Sequence, residues 1–326
     1  MRTITSLQVY LQWWRTWKTL PVFSWISAAR LYRTGHYAEA ERFYRTGLRR
    51  NALHPARISA QLDLAYCLFK QKKVVEAEQE LRAIVTAHPE QREGYVRLAR
   101  IQYWLGKSAD AALTLRRGMQ YFDGDPELSA LLLFSLIDYR ASGYLIAEAS
   151  AQAKRAIEQV PGHKLLRVAQ ARCLYHVGER EAGKELLVTL ALEDPALFEA
   201  VVAYAEVLLE EGKVEEGLIH LRRALQVSPH HPRVLSMIAR TYLQDSPSFN
   251  PEFSQQLAVS ACQSSSWASP RDMHTLAEAY SQVGDKMAAL VTASRARELG
   301  TQSHREYAQV GTLNKLIDTL RAEIQA

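Results

Sequence analysis

Residues 198–229 read FEAVVAYAEVLLEEGKVEEGLIHLRRALQVSP, and the spacing within them decides the fold. Two short amphipathic helical patterns flank Glu210-Glu211-Gly212-Lys213. Pro229, which lacks an amide hydrogen and clashes with the preceding turn, ends the second. The stretch is a helical hairpin. Ala205 in its first helix, with Gly217 and Ala224 in its second, lets two backbones approach closely, while Val201, Leu208, Val214 and Leu221 fill the space around them. Neither helix can bury its apolar face alone. The pattern recurs 34 residues upstream, where Ala171, Leu174, Gly178, Gly183, Leu187, Leu190 and Pro195 match Ala205, Leu208, Gly212, Gly217, Leu221, Ala224 and Pro229. The hairpin is therefore the unit of an internal repeat.

Followed along the chain, the small position of the first helix falls at Ala28, Ala65, Ala99, Ile137, Ala171, Ala205, Ala239 and Ala277, in steps of 37, 34, 38, 34, 34, 34 and 38. This predicts about eight repeats. Alternating β-branched runs are nearly absent, so the class is all-α. Stacked units that touch only their neighbours make one long solenoid over residues 21–303 a better expectation than two globular domains, although 326 residues with 48% apolar content could fill either. Residues 1–20 and 304–326 read as an N-terminal amphipathic helix and a C-terminal capping helix.

The first repeat carries Ala28, Leu31, Gly35, Tyr37, Ala40, Tyr44 and Gly47, and its centre, Gly35-His36-Tyr37-Ala38-Glu39-Ala40, resembles the tetratricopeptide repeat signature. The second keeps Leu64, Ala65, Leu68, Ala77, Leu81 and Pro89 but has Lys72 at the turn glycine, a change expected to cost little if the turn is not strictly left-handed. In the fourth, Ile137 replaces the alanine; in the seventh, residues 244–251 lengthen the turn between helices. The resemblance implies a right-handed superhelix of helix-turn-helix units whose first helices line a concave groove that captures segments of partner proteins.

Projecting each first helix away from its small residue gives the expected groove positions: Tyr66, Phe69 and Lys70; Arg97, Arg100, Tyr103 and Trp104; Arg172, Tyr175 and His176; Arg233 and Arg240. Arginine and aromatic side chains are the usual hot-spot types of interfaces, so an acidic, partly apolar segment of a partner is the expected ligand. Glu206, Glu210, Glu211, Glu215 and Glu216 read as a solvated acidic face, and His230 and His231, between prolines, as solvated polar residues.

The first twenty residues, MRTITSLQVYLQWWRTWKTL, place Trp13, Trp14 and Trp17 on a broad apolar face beside Arg15 and Lys18. Two readings stay open, a cap on the first repeat or a helix at a membrane surface. Charge bears on the second: residues 1–57 hold ten Arg or Lys against two Glu, whereas the rest of the chain carries 30 basic and 33 acidic side chains. The basic end would be drawn to anionic lipid or an acidic partner. No nucleic-acid-binding motif accompanies it.

Cys67, Cys173 and Cys262 are odd in number and far apart, which argues for small packed side chains in a reducing compartment over disulfides or a zinc site. No phosphate loop, nucleophile elbow or helical His pair at metal spacing is present, so neither an enzyme, a cofactor, a metal nor a small-molecule substrate is expected. The reading is a non-catalytic scaffold or adaptor in the cytoplasm or peripheral at a membrane, serving assembly of a larger complex. A soluble regulatory or chaperone-like peptide binder is the alternative, and a non-catalytic subunit of an enzyme complex a weaker one.

Overall fold

The computed structural model describes residues 21–50, 56–138, 141–244, 248–302, 307 and 309–325. Trp13, Trp14, Arg15, Trp17 and Lys18 lie outside the described residues, as do residues 245–247 of the inserted turn. The described residues form seventeen helices and no strand. Eight hairpins follow one another: α1 (Pro21–Arg33) with α2 (Tyr37–Arg50), α3 (Arg57–Lys70) with α4 (Val74–Ala87), α5 (Arg92–Trp104) with α6 (Ser108–Met119), and α7 (Pro126–Asp138) with α8 (Gly143–Gln159). Then come α9 (Lys164–Val177) with α10 (Arg180–Glu193), α11 (Phe198–Glu210) with α12 (Val214–Val227), α13 (Pro232–Thr241) with α14 (Pro251–Ser264), and α15 (Pro270–Val283) with α16 (Lys286–Thr301). A last helix, α17 (Val310–Gln325), closes the series. The chain is an all-α repeat solenoid. None of the described helices is long and apolar enough to cross a membrane.

The helices fall into two compact units, one ending at Gly94 and one beginning at Tyr95. In both, the repeat alanines lie at the core: Ala28, Ala65, Ala99, Ala171, Ala205, Ala239 and Ala277 are all buried, and so is Ile137. Close approach of backbones explains the small residues. A Cβ on Gly183 would stand 2.5 Å from the Tyr175 amide nitrogen and 2.6 Å from the Ala171 carbonyl, contacts that no side chain can yield to. The three cysteines are free thiols buried among these helices, and burial pushes Cys67 up to about 12.

The turns between paired helices explain the recurrent glycine, and they correct one expectation. Gly35, Gly106, Gly178, Gly212 and Gly284 all have positive φ. The amide after each reaches back to a carbonyl five residues earlier, as Lys213 does to Leu208 at 2.8 Å. Lys72 adopts the same conformation, φ 62°, and Lys73 donates to the Leu68 carbonyl at 2.9 Å. The turn is left-handed after all, so Lys72 carries a backbone penalty on the order of 1–2 kcal/mol that its glycine counterparts avoid.

In the second unit, the end of the series is sealed by Leu313, Ile317 and Leu320 of α17. These lie fully buried, Leu313 and Ile317 in one cluster with Leu276, Ala277, Ala293 and Ala296. Asn314, Lys315, Asp318, Arg321 and Glu323 remain exposed on the other side.

Candidate functional site

In the second unit the first helices of successive hairpins, α5, α7, α9, α11, α13 and α15, bring one repeat position together. It directly follows the small residue and reads Arg100, Asp138, Arg172, Glu206, Arg240 and Glu278, strictly alternating in sign. The alternation is converted into contacts. The Arg172 Nη2 stands 2.9 Å from Asp138 Oδ1 and 3.0 Å from Glu206 Oε2, and Arg240 Nε lies 3.5 Å from Glu278 Oε2. Arg100 instead pairs with Glu127 at 3.0 Å.

Arg233, from the first turn of α13, enters the same network, donating to both Asp138 and Glu206 and to the Tyr103 hydroxyl. Two guanidinium groups thus meet two carboxylates. Burial opposes charge on Asp138, yet Arg233 and Arg172 hold its carboxyl well below the usual range. Burial likewise opposes charge on Arg172, and Glu206 and Asp138 keep it more basic than a free arginine. Its guanidinium also lies 5.4 Å from the Phe134 ring centre, as that of Arg233 does at 5.3 Å from Tyr103.

This geometry corrects several expectations. Arg172 and Tyr175, expected on an exposed groove face, are each only 6% exposed. Arg172 and Arg233 are occupied by the chain's own carboxylates, because two long cationic side chains converging on a concave wall need compensating charge at close range. Glu206 is not part of a solvated face but one of the two acids that supply it. Glu210, Glu211, Glu215 and Glu216 do stand exposed, with Glu211 paired to Lys184 at 2.6 Å and to Lys213 at 3.1 Å.

His231 is not a solvated residue either. Its ring packs against Trp104 and Phe198, with ring centres 4.6 Å from each. Burial, then the nearby Arg271 and Arg233, push it down to about 3. Trp104 in turn donates its indole N–H to the Ser264 carbonyl at 3.1 Å. The end of α5 therefore meets α13 and the end of α14 across the interior of this unit. Gly106, in the following turn, leaves only 3.1 Å between a would-be Cβ and Ser269 Oγ.

Beside the network lies a cavity of about 390 Å³ whose wall includes Lys107, Arg172, Arg233, Arg240, Arg271, Asp138, Glu206, Glu210, His176 and Tyr307. Five cations face it against three carboxylates. The acids that compensate the other two arginines stand behind them: Glu278 against Arg240, and Asp272, fully buried, 2.9 Å from Arg271 Nε. At Arg240 and Arg271 a ligand in the cavity meets the guanidinium before its counter-ion, whereas Arg172 and Arg233 share the wall with Asp138 and Glu206. Arg240 is held in place by Thr275 Oγ1 and Gln309 Oε1, at 3.0 and 2.9 Å.

Of the other expected groove residues, Arg97 is half-buried and His176 stands exposed at the rim. Those of the first unit form a separate group. There Tyr66 meets Tyr32 and Tyr37 with ring centres 5.2 and 6.0 Å apart, the Lys70 ammonium lies 5.3 Å from the Tyr66 ring, and Phe69 is half-buried.

Hairpins of this size, with buried small residues at the helix crossing and a left-handed turn, define a helical-repeat protein. Residues 28–92 match the family described as tetratricopeptide repeat, and solved structures of such proteins share the fold of the whole chain. A tetratricopeptide repeat protein from Parabacteroides merdae superposes with a TM-score of 0.52 at 12% identity, over 92% of this chain and 98% of that one. The Cut9–Hcn1 hetero-tetramer of the APC/C gives 0.65 at 10% identity, over 93% of this chain and 64% of that one. Human IFIT1, in a dimer with m7Gppp-AAAA, gives 0.57 at 14%, over 91% and 71%. No curated protein matches the sequence.

Proposed function

We propose that the chain is a non-catalytic protein-interaction scaffold that holds a short acidic, partly apolar segment of a partner in the cavity of its second unit. The observation that carries this is the cavity wall, where the cations of several hairpins face inward and their counter-ions are partly set behind them. A guanidinium offers forked donors to a carboxylate. A volume of about 390 Å³ lies in the range of ordinary ligand pockets and takes a few side chains rather than a long helix. The buried thiols fit a reducing compartment, and the basic N-terminal end, residues 1–20 included, fits attachment at an anionic membrane surface.

The test is recovery of partners on the immobilised chain followed by mass spectrometry. Lys107→Glu with His176→Glu adds negative charge at the cavity wall without replacing a member of the buried network, and should lose the partners that the parent retains. Arg222→Glu with Arg223→Glu, on the second helix α12, should keep them. Equal retention by both pairs would place the interaction surface elsewhere.

A further inference from the structure

The first hairpin carries arginines of a different kind from those of the second unit. Arg45 is saturated by Glu41, Glu76 and Glu80, at 2.8, 3.2 and 3.4 Å. Arg30, Arg33, Arg42 and Arg49 are exposed, and among the described residues none of them has an ion-pair partner. They sit on two diverging faces, because α1 and α2 bury the sides on which they pack: Ser24, Trp25 and Ala28 on α1, and Ala40, Tyr44 and Gly47 on α2. Ile26, Arg30 and Arg33 follow at i, i+4 and i+7, so they form one stripe along the outside of α1. Ile26 is 59% exposed.

Cations at a helix C-terminus gain a little from the helix dipole, which accounts for the position of Arg30 and Arg33 but not for an isoleucine left in water beside them. An apolar side chain flanked by unpaired guanidinium groups matches the boundary between lipid headgroups and acyl chains, where phosphates receive the charge and the interface receives the apolar group. The helix bearing this stripe starts at Pro21, directly after the sequence that contains Trp13, Trp14, Arg15, Trp17 and Lys18. Resting on the proposed attachment of the N-terminal end, we infer that Ile26, Arg30 and Arg33 of α1 form a docking stripe for the phosphate headgroups of an anionic lipid surface. Arg42 and Arg49 of α2, on the other face, take no part.

The experiment is sedimentation of the full chain with phosphatidylcholine vesicles, with and without phosphatidylserine, at low and high salt. The parent should bind only the phosphatidylserine vesicles and be released by salt. Arg30→Glu with Arg33→Glu should weaken binding at least about tenfold, given the attraction a basic residue gains near such a surface. Arg42→Glu with Arg49→Glu should leave it within about twofold of the parent. Circular dichroism confirms that both variants are folded. Equal losses from the two pairs, or retention by the α1 pair, overturns the stripe. If the α1 pair is retained while Trp13→Ser with Trp14→Ser and Trp17→Ser abolishes binding, the stripe falls and the attachment reading stands. If the parent ignores phosphatidylserine vesicles altogether, both fall, and an acidic protein becomes the partner to seek for these arginines.

Discussion

Arginines in the first hairpin and in the interior of the second unit have the same side chain and opposite situations. Arg30 and Arg33 stand in water, without an ion-pair partner among the described residues, whereas Arg172 and Arg233 are enclosed with Asp138 and Glu206. The difference shows what residue type alone conveys. An exposed arginine can be offered to a second molecule at almost no cost in stability, whereas an enclosed one must first be satisfied from within the chain, because desolvation of an unpaired charge costs several kcal/mol. In its enclosed interior the second unit can present positive charge where an arginine's counter-ion lies behind it, as Glu278 and Asp272 lie behind Arg240 and Arg271.

The largest effect should come from exchanging one arginine of each kind. Arg172→Met leaves Asp138 and Glu206 short of a partner and should cost about 3–5 kcal/mol in chemical denaturation. Arg30→Met should stay within about 0.5 kcal/mol of the parent. Similar values for the two would erase the distinction between them.

Steric crowding at the repeat core should rank next. Ala205 is fully buried beside Leu218, Leu221 and Ala224, so Ala205→Trp should cost ~1–3 kcal/mol or more. Hydrogen exchange should quicken in α11, α12 and the hairpins next to them. Unchanged exchange there would mean that this crossing is looser than its packing indicates.

Acid should destabilise the second unit through its enclosed histidines before it does so through Asp138. His231 and His274 are both pushed down to about 3 by burial, so the unfolded chain binds their protons first, near 6.5. Stability is then lost as pH falls from about 6.5 toward 3, by up to about 1.4 kcal/mol per pH unit for each histidine. Asp138, depressed in the folded state, adds its own loss only below about pH 4. His231→Phe, which keeps a ring between Trp104 and Phe198, should flatten the decline above pH 4, as followed by urea denaturation at stepped pH. An unaltered slope would show that His231 is hydrated.

The smallest effect belongs to the turns. Lys72→Gly should stabilise the first unit by about 1 kcal/mol, and Gly212→Lys should destabilise the second by a similar amount, both measured by thermal melts.

Much of this was legible in the sequence because a solenoid writes its core as a period. The alanines at the helix crossings, the glycine turns and the Leu313, Ile317 and Leu320 side of the last helix all follow from local rules that one repeat states and the next repeats. Lys72 left the handedness of its turn open, because its side chain hides a backbone requirement that its five glycine counterparts make plain. The interior was less legible. Projection around a helix shows which way Arg172 points, but not that Asp138 and Glu206, one repeat on either side, point the same way with opposite sign. That signal was present as the alternation of Arg100, Asp138, Arg172, Glu206, Arg240 and Glu278. The packing of Trp104 on His231 had no local trace, since it depends on how tightly successive hairpins turn.

The most direct test is a double-mutant cycle on the pair that joins α7 to α13. Arg233→Met, Asp138→Asn and the double variant would be compared with the parent by urea denaturation. If these two groups form one enclosed network, the double variant should be far less destabilised than the sum of the single ones, with a coupling of about 1.5–3 kcal/mol. Additivity within about 0.5 kcal/mol would mean that the two charges are solvated separately, and that the interior arginines are as free as those of the first hairpin.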